Sequence, residues 1–415
     1  ATVVDLGVIT TPGVAFMVRK MSAEAGIVIS ASHNPVNENG IKIFDENALK
    51  LNEIVELEIE SLLEDPMDLS QAQANQFGRR IDGADMRELY ADHLVDEHQD
   101  LSLRGLKLVL DCANGAASWY APEVFSRLGA EIVAIHASPT GTNINEDAGS
   151  EQVRQHPGDL SALIQKYQAN FGVAFDGDAD RVIFVDEAGR LVDGDHMLAI
   201  LGDYLHAQGR LLGNTVVSTT MRNGALVNYF AERSIDFVET PVGDKYIMAE
   251  LRELILKAHP GSQIGLGGEQ SGHIILMDQG HTTGDGLRSA IYLIRAYLAS
   301  GCQTLSALAE SIHKYPQVIA SAVVAEKINL EGLEAVTALK KQIKENLPGV
   351  TRLNLRYSGT EPKVRLMLEA DNRHSEADLA QVAFVLCEAV QTATNTPPGS
   401  HLDVLNVTHG GLVDR

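Results

Sequence analysis

A repeated change of period constrains the fold more than any other feature of the chain. Short β-branched runs, GIVIS (26–30), LKLVL (106–110), FGVAF (171–175), NTVVS (214–218) and HIILM (273–277), alternate with amphipathic stretches. The latter lie at 52–64, 85–98, 117–128, 195–208, 244–258 and 285–300. Such alternation predicts βαβ units and largely parallel pairing. Thr10 and Thr11 before Pro12 mark a capped helix start. A weak repeat runs through the pattern. Strand 106–110 enters DCANGA (111–116), strand 214–218 enters TTMRNGA (219–225), and strand 26–30 enters ASHNP (31–35). Three related α/β domains would produce this, although strand-ending loops are rich in Asn and Gly in any case. The last hundred or so residues read differently: strand 317–325, helix 330–346, strands 350–356 and 364–370, helix 375–394. That order predicts a smaller α+β domain. Residues 395–415 begin Pro-rich and lose periodicity, so they read as a tail of unassigned status.

At 415 residues the chain is too long for one core and predicts about two to four domains. The composition, 45% hydrophobic and 21% charged, argues against disorder. No apolar run approaches the ~20 residues of a membrane span. A net charge of -23 disfavours a general nucleic-acid binder. An anionic substrate would need basic groups gathered locally against that field. Cys112, Cys302 and Cys387 are too scattered for a disulfide framework or a metal site and read as buried free thiols. The opening ATVVDLGVIT has no basic n-region, so a reducing, cytoplasmic setting is expected.

Four loops carry candidate chemistry. In Ala31-Ser32-His33-Asn34-Pro35, Ser32 stands at the mouth of a strand on a loop that Pro35 stiffens. It suits a nucleophile or phosphate carrier; a plain turn is the alternative. Lys42 follows closely, after the Asn39-Gly40 turn. In Asp176-Gly177-Asp178-Ala179-Asp180-Arg181, three carboxylates within five residues repel one another unless a hard cation gathers them. An EF-hand is disfavoured by Arg181 where that loop needs Gly and by strand-like flanks; a solvated acidic turn is the other alternative. In Gly268-Glu269-Gln270-Ser271-Gly272-His273, an extended backbone would turn Glu269, Ser271 and His273 to one side, toward a polyol or amino sugar. A Gly-rich hairpin loop is the alternative. In Arg356-Tyr357-Ser358-Gly359-Thr360-Glu361-Pro362, with Arg365 beyond, hydroxyls, a Gly-permitted backbone approach and guanidinium forks suit a phosphate cradle; a polar turn between strands is the alternative. Together the four describe a phosphorylated-sugar site in a cleft between domains.

These four segments, with GVITTPGVAF (7–16), resemble the α-D-phosphohexomutase superfamily over residues 1 to about 395. The resemblance implies an α/β fold: three related α/β domains with mixed sheets and a smaller α+β C-terminal domain around a central cleft. The implied domains span 1–83, 84–194, 195–314 and 315–395, with 396–415 as the tail. It further implies a phosphate carried covalently on Ser32, and one Mg²⁺ per site held by Asp176, Asp178 and Asp180 together with that phosphoserine. Catalytic duties fall to Ser32, His33, Lys42, Arg181 and His273. Substrate contacts fall to Gly243, Asp244, Lys245, Glu269 and Ser271, and to Arg356, Ser358, Gly359, Thr360 and Arg365 as a phosphate clamp. The GEQSGH loop, with Gln270 in place of Met or Glu, and Val242-Gly243-Asp244-Lys245-Tyr246 are similar to the branch that acts on hexosamine phosphates. The implied reaction interconverts glucosamine 6-phosphate and glucosamine 1-phosphate, with a sugar bisphosphate as intermediate or activator, toward cell-wall precursors. Alternatives are the same chemistry on glucose or mannose phosphates, an inactive homologue, and a Mg²⁺ phosphatase using Asp176. A homodimer is compatible; nucleic-acid and membrane partners are not expected. Three departures stand out. The family's N-terminal arginine loop lies outside this sequence, which implies a truncated first domain. Residues 149–159 differ from the branch's Gly-Ser-Thr-His pattern, and Tyr357 replaces a common Pro.

Overall fold

The computed structural model describes residues 1–64, 78–258, 263–358 and 361–415. The first unit contains β1 (Val3–Asp5), α1 (Thr11–Met21), β2 (Gly26–Ser30), β3 (Gly40–Phe44), α2 (Glu53–Glu64) and β4 (Arg80–Asp82), and α3 (Arg87–Glu97) opens the second. β1 pairs parallel with β4, and β2 pairs antiparallel with β3. The Thr-Thr-Pro start behaves as its chemistry requires. Thr10 Oγ1 accepts the Gly13 N–H at 3.0 Å, and Pro12 occupies the first turn, where no amide hydrogen is needed. Val14, Met17 and Val18 bury the inner face of α1.

The second unit contains β5 (Lys107–Asp111), α4 (Ala117–Arg127), β6 (Glu131–Ile135), α5 (Gly149–Gln155), α6 (Pro157–Tyr167), β7 (Phe171–Phe175), β8 (Val182–Val185) and β9 (Leu191–Val192). Its sheet order is β6-β5-β7-β8-β9, with two parallel pairings followed by two antiparallel ones. The third contains α7 (Gly194–Ala207), β10 (Leu211–Thr219), α8 (Ala225–Glu232), β11 (Asp236–Thr240), α9 (Asp244–Lys257), β12 (Ile264–Gly268), β13 (Ile274–Met277), α10 (Gly286–Ser300) and α11 (Leu305–Ala309). Its order, β11-β10-β12-β13, repeats the parallel, parallel, antiparallel sequence of the second unit. The sheets are therefore mixed, and the internal repeat is real but its register differs from the sequence reading. β5 corresponds to β10, whereas β2–β3 matches the antiparallel steps β7–β8 and β12–β13. ASHNP is thus the counterpart of the Asp-rich and Gly-Glu loops, not of DCANGA. A strand ending in an Asn-bearing loop looks alike at either position, and only the pairing tells them apart.

The fourth unit contains β14 (Gln317–Val323), α12 (Glu334–Asn346), β15 (Val350–Tyr357), β16 (Lys363–Ala370), α13 (Glu376–Ala393) and β17 (Leu402–Asn406). All pairings in its sheet, β15-β16-β14-β17, are antiparallel. Ser375 and Asp378 close a capping box on α13. The aperiodic stretch past 395 is ordered: β17 lines the edge of β14, and beyond it the Gly411 N–H donates to Arg154 O at 2.8 Å in the second unit. One apolar core runs through the first three units, from Ile9 to Ile312, while the fourth has its own, including Val318, Leu366, Leu386 and Val404. Cys112 and Cys387 are buried as expected; Cys302 is only half-buried.

Candidate active site

The three equivalent loops of the first three units meet. Between β2 and β3, Ser32 adopts a left-handed backbone (φ 54°), uncommon for a residue other than Gly and strained unless its surroundings hold it. They do. The Gly177 N–H donates to Ser32 O at 3.0 Å, and Asn145 Nδ2 donates to the carbonyls of Ser32 and Asn34, each at 2.8 Å. Ser32 Oγ then lies 3.2 Å from Asp176 Oδ2, as a donor to it.

Between β7 and β8, the side chains of Asp176, Asp178 and Asp180 are buried, and a ligand oxygen from each lies within 4.8 Å of the others. The Arg181 N–H donates to Asp176 Oδ1 at 3.0 Å. Lys42, from β3, places Nζ 2.5 Å from Asp178 Oδ2 and 2.7 Å from Asp180 Oδ2. Thr11, at the start of α1, donates its hydroxyl to Asp178 Oδ2 and its amide to Asp178 O at 3.0 Å. The helix thereby turns its positive end to the trio.

The electrostatics follow from crowding carboxylates out of water. Burial, then the charges of Asp180 and Asp178, push Asp176 well above the usual carboxylate range. Burial also works against Asp180, but Lys42, then His273 and Arg181, more than offset it and leave that carboxyl well below its ordinary value. Burial pulls Lys42 down; Asp180, Asp178 and Asp176 pull it further up, so the ammonium stays charged. His33 is lowered to about 4 by burial and then by the Arg181 charge, which makes it a neutral imidazole near pH 7. Its Nδ1 is buried without a hydrogen-bond partner, as are Asp178 Oδ1, Asp180 Oδ1 and Arg181 Nε. Unpartnered buried carboxylate oxygens from an all-oxygen trio fit a hard divalent cation such as Mg²⁺.

The third loop is a tight hairpin, not the extended run that alternation suggested. The Gly272 N–H closes a turn onto Glu269 O at 3.0 Å, and the Glu269 N–H donates to His273 O at 3.0 Å. Glu269 Oε1 accepts the Gly243 N–H at 3.3 Å, and His273 Nδ1 lies 3.8 Å from Asp244 Oδ2, at the first turn of α9. Asp244 also pairs with Lys50 of the first unit. Lys245 sits with its ammonium 5.3 Å from the Tyr246 ring centroid. Gln270, the residue that suggested a sugar branch, faces away from the hairpin's polar side. Its Nε2 donates to Asp195 Oδ2 and Gln317 Oε1, each at 2.8 Å.

The fourth loop stands apart: among the described residues, no hydrogen bond or ion pair joins it to the other three. Gly359 and Thr360 lie outside the described residues. Arg356 and Arg365 are direct cross-strand partners. Burial and then the Arg365 charge lower the Arg356 guanidinium. Like charges facing across a ladder are destabilising unless an anion lies between them. Lys327 Nζ donates to Ser358 O at 2.7 Å, while Arg365 is held by Glu361 at 2.5 Å.

Sequence reasoning missed Thr11, Lys50, Asn145 and the Thr282-Thr283-Gly284-Asp285-Gly286 segment. In that segment Asp285 caps α10, and the Gly286 N–H donates to Ala179 O at 2.9 Å, pinning the aspartate loop. Two glycines around one acid was the available signal. Residues 149–159 form α5 and the start of α6; there Arg154 Nη1 pairs with Glu151 at 2.8 Å, and both charges act on His33.

The chain matches the phosphoglucomutase/phosphomannomutase alpha/beta/alpha domains I, II and III over residues 1–68, 88–189 and 193–315, and the C-terminal domain over 319–384. It is 42% identical over 371 residues to the phosphoglucosamine mutase of Bacillus velezensis, covering 89% of this chain and 80% of that protein. Among solved structures, a phosphoglucomutase/phosphomannomutase family protein from Burkholderia thailandensis superimposes with a TM-score of 0.69 at 22% identity, covering 97% of this chain and 84% of that one. The N-acetylphosphoglucosamine mutase of Aspergillus fumigatus, in complex with GlcNAc-6P and magnesium, gives 0.65 at 19% identity, with 92% of each chain covered. By sequence over most of its length, the chain belongs to the phosphoglucomutase/phosphomannomutase family.

Proposed function

We propose that the protein interconverts glucosamine 6-phosphate and glucosamine 1-phosphate through a phosphorylated Ser32. The carrying observation is the 3.2 Å approach of Ser32 Oγ to Asp176 inside a buried carboxylate trio, on a loop braced from another unit. The sugar is inferred from relatives named phosphoglucosamine mutase at about 42% identity. Asp176, Asp178 and Asp180 would hold Mg²⁺, which supplies charge neutralisation for the phosphoryl group when bound.

The chain's own residues then divide the work of phosphoryl transfer, which is mostly positioning and charge stabilisation. Ser32 gives its phosphoryl group to the free hydroxyl of the bound sugar phosphate and recovers one from the other end of the resulting bisphosphate. Arg181, kept charged beside Asp180 and Asp176, faces the negative charge that spreads over the phosphoryl oxygens. Lys42, charged at Nζ, holds and donates a proton, and His273 Nε2 holds or accepts the hydroxyl proton. His33, the next residue after Ser32, stays a neutral imidazole and adds no charge. Glu269, Ser271, Gly243, Asp244 and Lys245 orient the sugar. The Arg356–Arg365 pair, with Ser358 and the Gly359-Thr360 segment, grips the phosphate that is not reacting. Its attachment to a separate unit lets it accept either end of the bisphosphate as that unit moves.

Turnover of glucosamine, glucose and mannose phosphates, measured side by side, tests the substrate. Preference for a non-amino sugar would reassign it, and no turnover of any would leave a binding homologue. Ser32→Ala is expected to lower turnover by roughly 10³-fold or more and to abolish a one-phosphate mass adduct on the protein. Retention of substantial activity would remove Ser32 from the mechanism.

A further inference from the structure

A second cluster of ligating side chains lies away from the phosphoryl site, where α3 docks on the third unit. His93 and Glu97 are one helical turn apart on α3 and share its face. His281 comes from the loop between β13 and α10. His93 Nε2 and His281 Nε2 are 3.0 Å apart, and His281 Nε2 is 3.5 Å from Glu97 Oε2. With bonds of about 2.0–2.1 Å, neighbouring ligands of a tetrahedral zinc ion stand about 3.4 Å apart, close to both separations.

The surroundings orient these atoms as a metal site requires. His281 Nδ1 lies 3.0 Å from Asp278 Oδ1, which also accepts the Gly280 and His281 amides at 2.7 and 3.0 Å. A carboxylate on Nδ1 fixes the proton there and leaves the Nε2 lone pair facing the cluster. The Phe16 ring stacks on His93 with centroids 4.7 Å apart, setting the imidazole plane. Buried Arg288 braces both acids, donating from Nη2 to Glu97 Oε1 and to Asp278 Oδ2, each at 2.6 Å, and from Nε to Glu97 Oε2 at 3.0 Å. The His281 and Glu97 side chains keep 10% and 20% of their surface exposed.

We infer that His93, Glu97 and His281 form a site for a borderline divalent metal of the zinc class. Two imidazoles and one carboxylate, with a fourth position left to water, suit Zn²⁺ and its Co²⁺ surrogate and not the oxygen-preferring Mg²⁺. Glu97 shares its charge with Arg288, which weakens it as a donor and makes the ion exchangeable. A bound ion would staple α3 to the third unit.

The test uses the whole 415-residue chain, stripped with EDTA and then saturated with Mg²⁺ to occupy the aspartate trio. Calorimetric titration with ZnCl₂ should show one site per chain. CoCl₂ should give visible absorption of tetrahedral intensity, and Zn²⁺ should raise the melting temperature. His93→Gln and His281→Ala should each lose the cobalt signal and weaken Zn²⁺ binding by at least about tenfold, and Asp278→Asn should weaken it about 10–100-fold. The melting-temperature gain should vanish in His93→Gln, which leaves the loop of His281 intact. Equal Zn²⁺ binding by wild type and His93→Gln, or no tetrahedral cobalt signal in the wild type, would reduce the cluster to a hydrogen-bonded histidine pair and overturn the inference.

Discussion

A methyl group on Gly284 would stand 2.0 Å from both Cδ2 and Nε2 of His273. The ring is the free end of a side chain, so a methyl there would move the imidazole before it moved the fold. Gly284→Ala should therefore cost activity out of proportion to stability. Displacing a positioned group by about 1 Å can cost on the order of 10²-fold in rate. Turnover should fall by about that factor while the melting temperature changes little. An equal loss of both, or of neither, would mean that His273 does no work at that position. This residue also marks how far the sequence could be read. Ser32 and the three aspartates were legible because each motif is local: a stiffened loop, or carboxylates spaced too closely to stand without a cation. Thr11, Lys50 and Asn145 were not, because what each does exists only in a contact between units far apart in the chain, and Gly284 was not, because its role is the space it leaves beside the folded His273 ring. Thr11 is 167 positions from the aspartate it supports.

At the level of elements, one hairpin geometry is used three times, and the loop of each antiparallel step brings its residues to one place. The strands and helices were legible because their periods differ. The edge strands β6 and β11, half-exposed on both faces, show no clean alternation and were missed. The hairpin between β12 and β13 also ties the third unit to the fourth through Gln270, Asp195 and Gln317. Asp195 is pushed up to about 7 by burial and then by Asp193; Lys314, Gln270 and the Asn223 amide pull it back less. The folded state therefore keeps a proton that the unfolded chain, with an ordinary aspartate near 4, releases earlier. Where the folded state binds more protons, stability falls as pH rises. The contribution is fully present below about pH 4 and lost by about pH 7, on the order of 4 kcal/mol. Asp195→Asn removes this slope, so its melting temperature relative to wild type should climb between pH 4.5 and 7.5. A constant gap across that range would show that Asp195 titrates normally.

Across the whole molecule, the fourth unit is held by polar contacts at a joint and by the segment beyond α13. Arg352 Nη1 donates to Arg222 O at 2.7 Å, and the Gly224 N–H to Glu369 Oε2 at 2.7 Å. The segment adds a strand and a bridge to a different unit. Gln391, fully buried, accepts the Gly399 N–H and donates to Ser400 O, each at 2.7 Å. Lys314 Nζ donates to Val407 O at 2.8 Å, and the Gln317 N–H to Thr408 Oγ1 at 2.9 Å. Ending the chain at Pro398 would uncover β14, take from the buried Gln391 Oε1 its Gly399 donor and cut the link to Arg154. Such losses are worth several kcal/mol together, roughly 1–3 for each orphaned polar group. Because the fourth unit has its own core, the damage should stay there. Amides of β14 that face β17 should exchange much faster with solvent, while those of β7 and β10 keep their protection. β16, which carries Arg365, pairs with β14 on its other side, so KM for the sugar phosphate should rise more than kcat falls. Unchanged β14 exchange would show that the fourth unit stands without this segment, and a fall in kcat alone would separate it from the phosphate grip.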